Sequence, residues 1–314
     1  MKRRVRFYIG RPSWVTFSLR VAVAFALLAG VASPMSGADT PALAPLRAAA
    51  EKIAPLHQKK LPSSAEDWLA SHPERGQTFE QYRRSNPNRP TKIRTTLYVQ
   101  PIGEFTAAQN KLVGDTAELL SRFYHVRTKV LERIGLDVIP GDARRASRGG
   151  PQILTTYVLE HVLKPRRPRD AVAVLGLTTA DLWPGSGWNF VFGQASLSER
   201  VGVWSLARYG NLDGTAEEAR QFRLRMFKVA VHETGHMFGI AHCTAYECGM
   251  NGSNHLEEMD KRPFSFCPEC VQKVWWGCHA DPRKRYRLLA DFAKRQGFEA
   301  EAVFWEKSAE RLGK

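Results

Sequence analysis

Three histidines in one short motif constrain this chain more than any other feature of its sequence. His232 and His236 are four residues apart, Glu233 follows the first of them, and Gly239 precedes His242. On an α-helix, residues four apart lie on one face, so the first two imidazoles can reach one ion. A straight helix cannot bring His242 to the same point, but Gly239 can adopt the left-handed conformation that turns the chain. The motif therefore predicts a helix that ends in a sharp turn at a metal centre.

The ligands of this motif favour a catalytic zinc over a structural one. Three neutral imidazoles, from His232, His236 and His242, leave a fourth position for water, whose pKa zinc lowers from about 16 to about 7. Glu233 lies about a quarter-turn round the helix, where it can take the proton of that water as the water attacks a carbonyl. A purely structural zinc does not need this carboxylate. We therefore predict that Glu233 is catalytic; the alternatives are a site that binds metal without turnover and three unrelated histidines.

Four of the five cysteines follow at once: Cys243, Cys248, Cys267 and Cys270. The last two form a Cys-x-x-Cys pair, whose sulfurs can both lie about 2.3 Å from one zinc ion, and the other two would complete a tetrahedron. The pattern predicts a structural zinc, so the sequence implies two zinc ions in all. Two disulfides are the alternative, and export of the chain would favour them because thiols outside the cytosol oxidise. The fifth cysteine, Cys278, is not part of this pattern and precedes His279 in the sequence.

The histidine motif and the cysteines together resemble one known family, the archaemetzincins, which are metzincin-clan zinc metallopeptidases. The shared pattern is the long histidine motif followed directly by Cys, then a second Cys after four intervening residues, a Met two positions later, and a later Cys-x-x-Cys. Here it runs from His232 through Met250 to Cys270. Shorter stretches at 67–69, 98–105, 188–196 and 251–254 are similar too, so the resemblance covers about residues 66–275.

This resemblance implies an α/β fold of the metzincin-type zincin, with a twisted mixed β-sheet, an active-site helix, a Met-turn and C-terminal helices. Met250 would form the floor under the zinc ligands without binding the ion; an ordinary core methionine is the alternative. The resemblance also implies that an edge strand holds an extended peptide, with a plain interior hairpin as the alternative. The candidate residues for that strand are Phe192, Gly193, Gln194 and Ala195.

The activity that the resemblance implies is hydrolysis of peptide bonds in peptide or protein substrates, with aminopeptidase action as its finer form. The alternative is a catalytically weak, zinc-dependent peptide-binding protein. A nucleic-acid partner is not expected, because the basic residues are scattered and the cysteine cluster lacks the aromatic and basic neighbours that base stacking requires. The oligomeric state and the natural substrate are not encoded in any feature that we recognise.

Residues 1–38 have the composition of an export signal. Six basic residues and no acidic one occur there, and an apolar run spans 21–32, so the net charge of +15 becomes +9 without them. The run is too short to cross a bilayer core of about 30 Å as a helix, and small residues near Ala38 offer a cleavage site. We expect an exported protein, periplasmic or secreted, with no stable membrane span after cleavage; an uncleaved amphipathic anchor is the alternative.

Composition divides the remaining chain into an N-terminal extension (39–93), a catalytic domain with the four-cysteine zinc site (94–280) and C-terminal amphipathic helices (281–314). In the catalytic domain, we predict strands at 95–101, 126–131 and 170–177, and an antiparallel hairpin of 188–196 with 201–207. Helices are predicted at 107–124, 152–163 and 215–237, with a loop at 140–150. Two further helices are predicted near 283–294 and 299–312.

Overall fold

In this computed structural model the chain is described over residues 43–147 and 150–313, so the predicted export signal lies outside the described residues. The strands are β1 Thr96–Ile102, β2 Arg127–Val130, β3 Arg144–Arg145, β4 Gln152–Leu154, β5 Ala171–Thr178, β6 Asp181–Trp183, β7 Gly193–Ala195 and β8 Val201–Ser205. The helices are α1 Leu43–Ile53, α2 Trp68–Ser71, α3 Phe79–Arg84, α4 Ala107–Tyr124, α5 Thr155–Tyr157 with a π-helical continuation over Val158–Leu163, α6 Ala216–Met237, α7 Leu256–Lys261, α8 Pro268–Gly277, α9 Pro282–Gln296 and α10 Glu299–Gly313.

A five-stranded sheet in the order β2-β1-β5-β8-β7 forms the centre of the fold. Neighbours are parallel from β2 to β8, whereas β7 pairs antiparallel with β8, placing Gly193 opposite Trp204. The middle strands β1, β5 and β8 are buried along their whole lengths, as expected for parallel strands covered on both faces. The sheet is therefore mixed, the predicted hairpin is confirmed, and β7 and β2 are its two edge strands.

The predicted helices before, at and after the histidine motif are present in the structure. Helix α4 begins with a capping box between Thr106 and Gln109 and stops before His125, whose backbone is left-handed with φ 54°, so the predicted helix is confirmed. The long helix α6 packs against α4 and against β5, β7 and β8. The predicted C-terminal helices are also confirmed, as α9 and α10, which pack on each other. Across the described ranges, no helix is both long and apolar enough to span a membrane.

The predicted helix at 152–163 is wrong at its start. Residues 152–154 form β4, which pairs antiparallel with β3 and parallel with β6, and the helix begins only at Thr155. Ile153 is buried between Arg144 on one side and Leu182 on the other. These pairing partners are remote in sequence, so apolar spacing within the segment could not reveal them. Strand β6 was not predicted either, and the predicted loop at 140–150 contains a short 3₁₀ turn, Gly141–Ala143, before β3.

The N-terminal extension lies along the catalytic region. Helix α1 packs against α8 and α10, and α3 packs against α8. Lys59 forms a β-bridge with Tyr246, and the ammonium of Lys60 lies 3.1 Å from the carboxylate of Glu247. The residues before position 94 thus contact the same part of the chain that carries the histidines and cysteines.

Candidate metal centres

Helix α6 and the turn after it carry the histidine motif. A capping box between Thr215 and Glu218 fixes the start of the helix. At its end, the Gly239 N–H donates to the His236 carbonyl (2.8 Å), and the Ile240 N–H donates to the Gly235 carbonyl (3.0 Å). Gly239 has φ +80°, the left-handed conformation predicted for it. The chain therefore turns back sharply.

The three imidazoles converge after this turn. His232, His236 and His242 are buried, and one ring nitrogen from each lies within 4.8 Å of the others. The Nδ1 atoms make hydrogen bonds to oxygen: to the Gly249 carbonyl at 2.9 Å, to the Ile240 carbonyl at 2.8 Å, and to both oxygens of a carboxylate at 3.0 Å. Donation from Nδ1 leaves the Nε2 lone pairs available for a metal ion.

The contact between the two helix histidines supports the same conclusion. Their Nε2 atoms are 3.0 Å apart. Carbonyl acceptors at both Nδ1 atoms require the proton there, and in a neutral imidazole the other nitrogen then has none. Burial and neighbouring imidazoles lower the pKa of His232 and lower that of His236 to about 3, so both rings are neutral. Two lone pairs facing each other at this distance repel unless a cation lies between them. The residues therefore fit a zinc ion.

Glu233 lies beside these ligands and against the edge strand β7. A Cβ atom built on Gly193 would be 2.8 Å from both Cγ and Oε1 of Glu233. Burial raises the pKa of Glu233 to about 8, opposed by the charge of Arg262. Its Oε1 atom is buried and has no hydrogen-bond partner among the described residues. A cation beside this carboxyl group would favour its ionised form.

Met250 lies under the helix turn that carries the ligands. It is fully buried, and a Cβ atom on Gly235 would be 2.6 Å from its sulfur. Main-chain carbonyls at this point bind residues of both candidate ligand groups. The Met250 carbonyl accepts from the Cys243 N–H at 2.9 Å, and the Gly249 carbonyl accepts from His232. The family resemblance implies a Met-turn at this position.

The four cysteines of the second pattern form one buried cluster. The sulfur atoms of Cys243, Cys248, Cys267 and Cys270 lie within 4.8 Å of one another. Cys243 and Cys267 are 3.6 Å apart, well beyond a disulfide bond of about 2.05 Å, and all five cysteines are free thiols. Main-chain N–H groups of Cys267 and Met250 donate to the sulfur of Cys248 at 3.2 and 3.4 Å. The arrangement suits a tetrahedral zinc.

Cys278 lies apart from this cluster. It is buried, and burial raises the pKa of its thiol to about 12. The thiol therefore stays protonated at neutral pH, which suits a packing residue.

The candidate substrate strand occupies 192–195. Phe192 stacks on Tyr209 with ring centroids 5.7 Å apart, and Gly193 contacts Glu233 as described above. The buried Gln194 side chain accepts a hydrogen bond from Thr155, whereas Ala195 pairs with β8. The four residues thus lie at the edge of the sheet closest to Glu233.

Sequence reasoning missed the contribution of the N-terminal extension. The carboxylate that accepts from His242 belongs to Glu74, and the indole of Trp68 lies edge-on to the His242 ring at 5.3 Å. Gln77 and Tyr82 bind the turn after α6: their side chains donate to the carbonyls of Gly239 (3.2 Å) and Phe238 (3.0 Å). The available signal was the stretch 67–74, which combines Trp68 and His72 with two acidic residues, Asp67 and Glu74.

Comparison with known proteins identifies relatives of this chain. The model of Peptidase family M54 matches residues 168–275. Archaemetzincin-2 of Pongo abelii is 33% identical over 285 aligned positions, covering 80% of this chain and 78% of that protein. Archaemetzincin-2 of Homo sapiens is 34% identical over 261 positions, covering 72% of this chain and 71% of that protein. The crystal structure of archaemetzincin from Methanopyrus kandleri is 28% identical, with a TM-score of 0.49, and covers 61% of this chain and 99% of that chain.

The candidate ligands on α6 and in the turn after it, together with the family match and the archaemetzincin-2 relatives, define a zinc metallopeptidase, a hydrolase that acts on peptides or proteins. The chain belongs to the archaemetzincin family. The family resemblance stated from the motifs is therefore confirmed.

Proposed function

We propose that the chain hydrolyses peptide bonds at a zinc ion held by His232, His236 and His242, with Glu233 as the general base. The observation that carries this proposal is the convergence of three buried imidazoles, one ring nitrogen from each, beside a glutamate whose Oε1 has no partner among the described residues. When bound, zinc would acidify water and polarise the carbonyl of the substrate. Glu233 takes the proton of the attacking water and passes it to the leaving amine.

The outer strand β7 is proposed to bind the substrate as an extended peptide. Support comes from its position at an edge of the sheet. A Cβ atom built on Gly193 would lie only 2.8 Å from Glu233, so this strand passes close to the proposed base. An added strand gains main-chain hydrogen bonds, and its carbonyl groups then pass close to the base. Phe192, Gln194 and Ala195 complete the proposed binding strand.

A second, structural zinc is proposed at the cysteine cluster. Four buried sulfurs within 4.8 Å support it, since a closed tetrahedral thiolate site is typical of structural zinc. Cys243 follows His242 directly, so this ion would brace the turn that carries the third ligand.

Two finer proposals rest on the sequence alone. Aminopeptidase action is supported by the family resemblance, and export with cleavage near Ala38 is supported by the basic and apolar composition of 1–38. Peptides with free and with acetylated N-termini distinguish the first proposal: an aminopeptidase cleaves only the free form. N-terminal sequencing of protein recovered from outside the producing cells checks the second.

The central experiment compares wild type with Glu233→Gln, which keeps the shape of the side chain and removes its basicity. Both proteins are assayed for zinc content and for cleavage of a mixed peptide library. We expect two zinc ions per chain in both, and cleavage by wild type alone. Cleavage by Glu233→Gln at the wild-type rate would refute the role of Glu233, and a wild type loaded with zinc that cleaves nothing would favour a peptide-binding protein.

A further inference from the structure

The three candidate zinc ligands differ in what supports them. His232 and His236 donate from Nδ1 to neutral main-chain carbonyls, at 2.9 and 2.8 Å. His242 instead donates to Glu74, whose two carboxylate oxygens both lie 3.0 Å from Nδ1. One ligand of three therefore faces a negative charge, and that charge comes from a residue 168 positions earlier in the chain.

The carboxylate of Glu74 is itself held in place. The indole N–H of Trp68 donates to its Oε1 at 3.1 Å, and the same indole lies edge-on to His242. The indole ring of Trp68 packs against Gly252, so closely that a Cβ atom added to this glycine would overlap the ring. The main-chain N–H of Trp68 donates to Glu258 at 2.9 Å. Glu74 is thus fixed between an anchored indole and the imidazole.

We propose that Glu74 is a positioning residue for the catalytic metal. It fixes the Nδ1–H tautomer and the ring orientation of His242, and its negative charge makes Nε2 a stronger donor to the ion. A carboxylate behind a histidine ligand acts in this way in zinc sites generally. The inference rests on the proposed function only in that zinc binds at the three histidines; it does not depend on which reaction follows.

The two roles of Glu74, orientation and charge, are separable by substitution in the full chain. Glu74→Gln retains an oxygen that can accept from Nδ1 but removes the charge, whereas Glu74→Ala removes both. Glu80→Ala is the matched control, because Glu80 is an acidic residue of the same segment whose ion pairs, with Arg47 (2.5 Å) and Arg83 (3.5 Å), lie on the surface.

The measurement is zinc affinity by competition with a chromophoric chelator, with cobalt substitution to separate the two sites. Thiolate-to-cobalt charge transfer reports the cysteine cluster and shows whether each variant is folded. We expect Glu74→Ala to lower affinity at the histidine site about 10–100-fold, Glu74→Gln to lower it less, and Glu80→Ala to leave it unchanged. In both Glu74 variants the cysteine site loses less affinity than the histidine site.

Wild-type affinity in Glu74→Ala, or equal losses at both metal sites, would overturn the inference. If Glu74→Ala does not fold, Glu74→Gln provides the test. Unchanged zinc affinity of Glu74→Gln at the histidine site would show that the charge of Glu74 has no role. A wild-type protein that binds zinc at the histidines but cleaves no peptide would refute the proposed hydrolysis and leave the role of Glu74 intact. The two failures are therefore distinguishable.

Discussion

Replacement of Gly193 by alanine places one methyl group directly against the proposed base. The new Cβ would lie 2.8 Å from Cγ and Oε1 of Glu233 and 2.9 Å from Cδ. Carbon atoms pack at about 3.5–4.0 Å, so one of the two groups must move by roughly 1 Å. Gly193 is not among the residues with positive φ, so alanine fits the backbone and the effect is steric. Because β7 is hydrogen-bonded to β8, we expect Glu233 to move.

The expected effect is on turnover more than on substrate binding. A displacement of about 1 Å in a catalytic group can lower the rate about 100-fold. We therefore expect kcat of Gly193→Ala to fall by about that factor while zinc content stays at the wild-type value. Steric crowding should also lower the free energy of unfolding by about 1–3 kcal/mol. Steady-state kinetics on one cleaved peptide and chemical denaturation measure the two effects.

Gly176→Ala is the control for a general loss of stability. Its methyl group would meet the side chains of Leu163 at 3.1 Å and Ile102 at 3.3 Å, in the middle strand β5. This variant should lose stability but retain kcat. A wild-type kcat in Gly193→Ala, or an equal loss of kcat in Gly176→Ala, would refute the steric argument.

Three further predictions concern the floor of the site, the cysteine cluster and a half-buried histidine. Met250→Ala should lower the free energy of unfolding by about 2–5 kcal/mol because it leaves a cavity under the ligand helix, whereas Met250→Leu should cost less than about 1.5 kcal/mol; equal losses by denaturation would contradict this. Replacement of both Cys267 and Cys270 by serine should reduce the zinc content from two ions to one and lower the melting temperature, and a double variant that still binds two ions would exclude a zinc at the cluster. In the folded chain, burial lowers the pKa of His57 to about 4. As the pH falls from about 6.5 to about 4, the unfolded chain therefore binds a proton at this residue that the folded chain does not. Wild type should lose stability relative to His57→Phe over that window, and a pH-independent difference between them would show that the burial of His57 has no such effect.

Local sequence signals located most of the ligand-bearing elements. The capping residue Thr215 and the left-handed Gly239 mark the two ends of the ligand helix, and both act through contacts within a few residues. The same holds for the helix 107–124, whose ends are set by Thr106 and His125. Such elements can be predicted because their boundaries depend on neighbouring residues alone.

Elements that depend on distant partners could not be predicted in this way. β4 exists because Ile153 pairs with β3 and β6, and three residues give no periodicity of their own. Glu74 and His242 are 168 positions apart, and all strands of the sheet and α6 lie between them in sequence, so no spacing rule connects the two residues. The ligands follow from a motif, whereas the groups that orient them follow from the fold.

One short loop, residues 243–251, serves both metal centres: it carries Cys243 and Cys248, the carbonyl that orients His232, and Met250. If each of the two proposed zinc ions orders this loop, each raises the affinity for the other, and thermodynamic linkage makes the two factors equal. Half-loaded molecules are then rarer than two independent sites would give. A falling supply of zinc would remove whole enzyme molecules from the active population instead of leaving many weakened ones.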